Sequence, residues 1–131
     1  MTINFTIEEL TRSSFAIRNN IDNTPNEKQT ENLRFVANNL EYIREKLGNY
    51  PILVTSGFRN KEVNKAVGGV RNSDHLEGLA VDIIIKNNKS VKDTAKQIIE
   101  TQLEFDQIII YRNFIHLGFN KRMRRNIVWY Y

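Results

Sequence analysis

The chain has no cysteine. That excludes a disulfide framework, a thiolate-bound metal and a cysteine nucleophile, and leaves the redox character of its compartment open. Histidine is nearly absent too: there are 2, so any imidazole chemistry falls to His75 and His116. No apolar run approaches the length needed to cross a bilayer, so no membrane partner is expected. The opening residues 1–6 carry neither a charged leader nor an apolar core, so no secretory signal is expected. Internal repeats and low-complexity segments are also missing. What is present is 131 residues, 40% of them hydrophobic, enough to bury a real core as one domain spanning residues 1–131.

The net charge is +4 and the isoelectric point about 9.4. Basic residues gather in Lys121-Arg122-Met123-Arg124-Arg125. Such a run attracts a polyanion, nucleic acid or an acidic cell-wall polymer, or it is simply a solvated tail. No aromatic interleaving or recognition motif accompanies it, so nucleic acid is not the expected partner.

Patterning predicts an α+β domain: a small antiparallel sheet with helices packed on one face. Thr6 and Glu9 form a capping-box signature before a short helix over residues 7–12. Residues 20–25 are turn-rich. Apolar positions at Leu33, Val36, Ala37, Leu40, Ile43 and Leu47 mark an amphipathic helix over 27–47, ended by Gly48-Asn49. β-Branched, apolar stretches predict strands over 51–56, 79–85, 105–111 and 114–119, with Arg112-Asn113 as the tight turn between the last two. Short and long helices are expected over 60–66 and 90–100, the latter capped by Ser90. Residues 127–131 are expected to close over the core as a terminal strand.

The most informative stretch is Ser73-Asp74-His75-Leu76-Glu77-Gly78-Leu79-Ala80-Val81-Asp82. Together with His116, which ends the run Asn113-Phe114-Ile115, it offers two imidazoles and one carboxylate. Three such ligands leave the fourth corner of a tetrahedral zinc open, as hydrolytic sites do. The spacing alone is equally compatible with half-buried histidines and a capping aspartate. Ser56-Gly57-Phe58-Arg59 follows the first strand. Arg59 could grip a carboxylate or stabilise an oxyanion, or pair with Glu62 at the surface. Ser73 could bond substrate or cap the loop. No acid immediately precedes His116, so the general base is not evident; Asp106 and Glu77 are the carboxylates within reach along the sequence.

These residues together resemble the M15 family of zinc D,D-peptidases, specifically the phage and bacterial group related to D-alanyl-D-alanine carboxypeptidases. The family pattern S-x-H-x-x-G-x-A-x-D matches Ser73, His75, Gly78, Ala80 and Asp82, and S-G-[FY]-R matches residues 56–59. N-x-x-[VI]-G-G matches Asn64, Val67, Gly68 and Gly69. Phe105-Asp106-Gln107-Ile108-Ile109 and Ile115-His116-Leu117-Gly118 resemble two later motifs. The opening, including Ile21-Asp22-Asn23-Thr24-Pro25, is similar as well. The resemblance implies zinc held by His75, Asp82 and His116, with Arg59 serving the transition state or positioning substrate. It implies hydrolysis of a peptide bond in the peptidoglycan stem or cross-bridge. Asn113 stands where relatives carry the acid that acts as base, a neutral amide in that position. Phe114 replaces the family's tryptophan and keeps an aromatic wall; with Tyr111 and Ser73 it is an expected substrate contact. The partner is then a peptidoglycan peptide, and the protein a monomer or part of a virion assembly, in a phage particle or in a host cytoplasm with delivery to the wall. The alternative is an impaired virion or wall-binding relative that keeps the zinc site.

Overall fold

The computed structural model describes residues 1–121 and 125–131; of the basic run, Arg122, Met123 and Arg124 lie outside the described residues. Among the described residues, five helices and five strands follow in the order α1 (Ile7–Thr11), α2 (Ser14–Arg18), α3 (Glu27–Lys46), β1 (Ile52–Ser56), α4 (Lys61–Ala66), β2 (Ala80–Ile85), α5 (Val91–Glu100), β3 (Gln107–Ile110), β4 (Ile115–Gly118) and β5 (Ile127–Tyr130). A single turn of 3-10 helix, Asp74–Glu77, precedes β2. The architecture is α+β, as the patterning predicts. Among the described residues, no helix is long and apolar enough to cross a membrane.

Local chemistry starts each helix where the sequence places it. Thr6 accepts from the Glu9 N–H while Glu9 reaches back to the Thr6 N–H, a complete capping box. Asn26 and Gln29 do the same for α3. Asn60 and Ser90 cap α4 and α5. Helix α2 is an addition to the expected elements. Ser13 caps it by accepting from Ala16, and Ala16 is its one buried residue, so it has no apolar stripe from which to read it.

The strands form one sheet in the order β1-β2-β4-β3-β5. One face is the core: Val81, Ile83 and Ile85 of β2, Ile108 and Ile110 of β3, and Ile115 and Leu117 of β4 pack with Leu33, Val36, Leu40 and Ile43 of α3 and Ile98 of α5. Alternation sends the intervening residues, Asp82, Ile109 and His116, to the opposite face. Two details differ from the expected sheet. β5 runs parallel to β3, while the other ladders are antiparallel. It also does not close over the core: Val128 packs against it, but Trp129 and Tyr130 remain exposed. The reason lies in the order of strands, which leaves β5 at an edge, where one flank of the strand has no neighbour.

Candidate metal centre

The sheet's register assembles the site. Asp82 of β2 lies directly opposite His116 of β4, so both side chains rise from the face opposite the core. On the other flank of β2, an irregularity between Val54 and Ser56 brings Ser56 opposite Asp82. A bulge of this kind re-aims one side chain without moving the rest of the strand.

His75 arrives from the 3-10 turn. Ser73 caps that turn by accepting from the His75 N–H. Gly78 ends it at φ +72°, where a Cβ would lie 2.8 Å from the Gln29 carbonyl oxygen. Only glycine combines that left-handed conformation with so close an approach to α3. Gln29 and Asn32 of α3 donate to the Leu76 and Glu77 carbonyls, pinning the turn to the helix. The Arg59 N–H donates to the His75 carbonyl. Sequence, cap and helix thus fix the imidazole before any ligand is considered.

The three side chains converge on one oxygen. Asp82 Oδ1 lies 2.9 Å from His116 Nδ1 and 3.4 Å from His75 Nε2. One donor atom from each residue falls in a cluster no more than 4.8 Å across. The side chains of His75, Asp82 and His116 are 3%, 10% and 12% exposed, so little water competes for them. Burial opposes the charge on Asp82, yet hydrogen bonds from His116 and His75 prevail and hold its carboxyl well below the usual carboxylate range. Asp82 is therefore ionised at neutral pH. Two nitrogens and a carboxylate oxygen are a zinc donor set. The second nitrogen of His75 faces the Gly57 carbonyl at 2.6 Å, the outer hydrogen bond that orients metal-binding imidazoles. The donor set and its outer contact fit a divalent cation.

Arg59 lies beside this cluster. It donates from Nε to Ser56 Oγ at 3.0 Å, from Nη1 to Asn64 Oδ1 at 3.3 Å and from Nη2 to Asp82 Oδ2 at 3.4 Å. These partners, and not Glu62, set its place. Burial lowers its pKa and the Asp82 charge raises it; a guanidinium so placed remains a cation. Asn64 is held in turn by donating to the Val70 carbonyl. Asn23, buried, bridges the Thr11 and Phe58 carbonyls and the Asn60 N–H. Both asparagines position the arginine segment; Asn23 sits in the motif at residues 21–25 and Asn64 in that at 64–69.

A groove of about 870 Å³ opens over the cluster, lined by Arg59, His75, Asp82 and His116 and also by Ser73, Tyr111 and Phe114. Tyr111 stacks between Phe114, with ring centres 4.4 Å apart, and Tyr131, at 4.8 Å. Burial, then the neighbouring Tyr131 and Asp82, raise the Tyr111 pKa above its ordinary value, so the phenol is a neutral donor. Phe114 and Tyr111 thus lie side by side along the groove.

Of the three positions considered for a base, Asn113 and Asp106 do not line the groove and Glu77 does. Asn113 is exposed in the β3–β4 turn, which the Tyr111 N–H closes by donating to the Phe114 carbonyl. Asp106 is fully buried and occupied: Arg125 donates to Oδ1 from its backbone N–H and Nε, and to Oδ2 from Nη2. Hydrogen bonds from Arg125 outweigh burial and hold the Asp106 carboxyl below its ordinary value. It is a structural anchor for the segment entering β5, which corrects its reading as a base. The carboxylates that do line the groove beside Asp82 are Asp74 and Glu77. Asp74 accepts from the Asn120 amide at 3.1 Å. No spacing relative to His116 marks it; only the fold brings it there.

Residues 3–118 match the family model described as Peptidase M15. No curated protein matches the chain.

Proposed function

Because the chain belongs to the peptidase M15 family, we propose that it is a zinc-dependent peptidoglycan peptidase, cutting a peptide bond in the stem or cross-bridge. The observation that carries this reading is the convergence of His75, Asp82 and His116 on the floor of an open groove. These three residues would hold the ion. A zinc ion so held would act as a Lewis acid toward a peptide carbonyl and make water a competent nucleophile near neutral pH.

The chain's own groups supply the rest. Of the five N–H donors of a guanidinium, Arg59 commits three to Ser56, Asn64 and Asp82. The two that remain can donate to oxygen on the reacting carbonyl or to a substrate carboxylate. Fixed donors of this kind contribute about 3–4 kcal/mol to acyl transfer when the site excludes water. The Tyr111 phenol adds a donor in the same groove, and the stacked rings of Phe114 and Tyr131 keep it in place. Ser73 holds the His75 turn and faces the same groove. Proton transfer falls to Asp74 or Glu77, the groove's remaining carboxylates.

A second reading follows from the exposure of Asn113 and the occupation of Asp106: a virion or wall-binding protein that keeps the metal site without turnover. Incubating the zinc-loaded chain with purified peptidoglycan sacculi separates the two. New amino termini that appear with zinc and disappear with chelator support the peptidase. Sacculus binding without new termini overturns it and selects the second reading.

A further inference from the structure

The row of residues that bears the metal cluster continues past His116 to the edge of the sheet. Asp82 lies opposite His116, His116 opposite Ile109, and Ile109 opposite Trp129. Directly opposed residues share a sheet face. Trp129 therefore stands on the same face as Asp82 and His116, two strand spacings from His116, or roughly 10 Å. Tyr131, two residues further along, falls on that face as well, lines the groove and stacks on Tyr111.

Trp129 is 56% exposed and Tyr131 85% exposed. Trp129 does not itself line the groove but stands beside Ile109, which does, and exposed aromatic rings next to a groove can extend its binding surface. Trp129 and Tyr131 also lie beyond residues 3–118, the part that matches the family. They are an addition to the site from outside the matched part.

The chemistry of this strip selects the ligand. On this face β3 presents Gln107 and Ile109, and β5 presents Ile127 and Trp129, followed by Tyr131. None of the five is charged, and Arg125 nearby is bound to Asp106. The strip therefore does not suit an anion or a cation. It combines a flat apolar ring with an amide and a phenol, groups that match a molecule with an apolar C–H face and hydroxyls around its rim. A pyranose ring has that form. We propose that Trp129 and Tyr131 form a sugar subsite, which takes a pyranose ring of the glycan strand to which the cleaved peptide is attached. The choice of glycan rests on the peptidoglycan reading; the place of the subsite rests on the register.

Trp129 is the chain's 1 tryptophan, so intrinsic fluorescence reports the subsite alone. Titration of the full chain with N-acetylglucosamine oligomers is expected to give a saturable change in emission. Tyr131→Ala is expected to weaken binding about 3- to 10-fold, the range of one lost aromatic contact. By calorimetry, Trp129→Ala abolishes sugar binding and Trp129→Phe, which retains a flat ring, restores part of it. Trp129→Ala is also expected to lower cleavage of sacculi more than cleavage of a sugar-free stem peptide.

Two results overturn the subsite: no saturable change with the oligomers, or an emission that shifts with protein concentration alone, which marks pairing of β5 edges between copies. A chain that cleaves stem peptides but fails to bind the oligomers loses the subsite and keeps the peptidase. A chain that binds the oligomers but cleaves nothing loses the peptidase and keeps the subsite.

Discussion

The imidazole of His75 is tied to the backbone of Gly57: Nδ1 and the carbonyl oxygen are 2.6 Å apart. A carbonyl only accepts, so Nδ1 carries the hydrogen and Nε2 is left as the nitrogen that can ligate a metal. Gly57 is itself pressed against α1, where a Cβ would meet the Leu10 carbonyl oxygen at 2.2 Å. Replacing Gly57 by Ala must displace backbone on one side or the other. The expected result is a loss of about 3 kcal/mol or more in unfolding free energy, with weakened zinc affinity, read by denaturant titration and calorimetry.

Zinc should stabilise the folded chain, because the three ligands converge only in the native state. At free zinc 100 times its Kd the gain is about 2.7 kcal/mol, seen as a rise in Tm that chelator reverses. Asp82→Asn and His116→Ala should each remove that rise.

Arg59→Ala is expected to lower kcat by about 10²–10³, with a smaller change in KM, because the donors act on charge that develops during the reaction. Arg59→Lys should recover little of it, since an ammonium cannot reproduce the planar fork that reaches Ser56, Asn64 and Asp82 together. The zinc-induced rise in Tm should persist in both variants, which separates this loss from a loss of metal.

Asp106, buried and held by hydrogen bonds from Arg125, is expected to support the fold and not proton transfer. Its folded pKa lies below the ordinary value of 3.8. The stabilisation is therefore fully present above that value and is lost as pH falls through the depressed one. Asp106→Asn should cost about 1–3 kcal/mol at pH 7, a difference from wild type that shrinks toward pH 2 in denaturant titrations. Its hydrolysis should stay far from the 10²–10⁴-fold loss that removal of a base produces.

The core and the long helices were legible from local signatures, and the cluster of His75, Asp82 and His116 from its likeness to the family's motifs. The stripe from Leu33 to Ile43 repeats at helical spacing, and Asp82 breaks an otherwise apolar strand. Helix α2 left none, since it buries only Ala16. The direction of β5 was equally hidden: alternation tells which face a residue takes but not which way its strand runs. The same limit hides Tyr131, which reaches the groove through the pairing of β5 with β3. Asp106 misled for a physical reason. Its partner Arg125 is 19 positions away, and nothing in the intervening residues announces the pair.

The most direct test is an anomalous difference map from a zinc-loaded crystal of the full chain. The account predicts a peak about 2.0–2.2 Å from His75 Nε2, His116 Nδ1 and an Asp82 oxygen. A map with no peak there, or with zinc bound only at other residues, would contradict it.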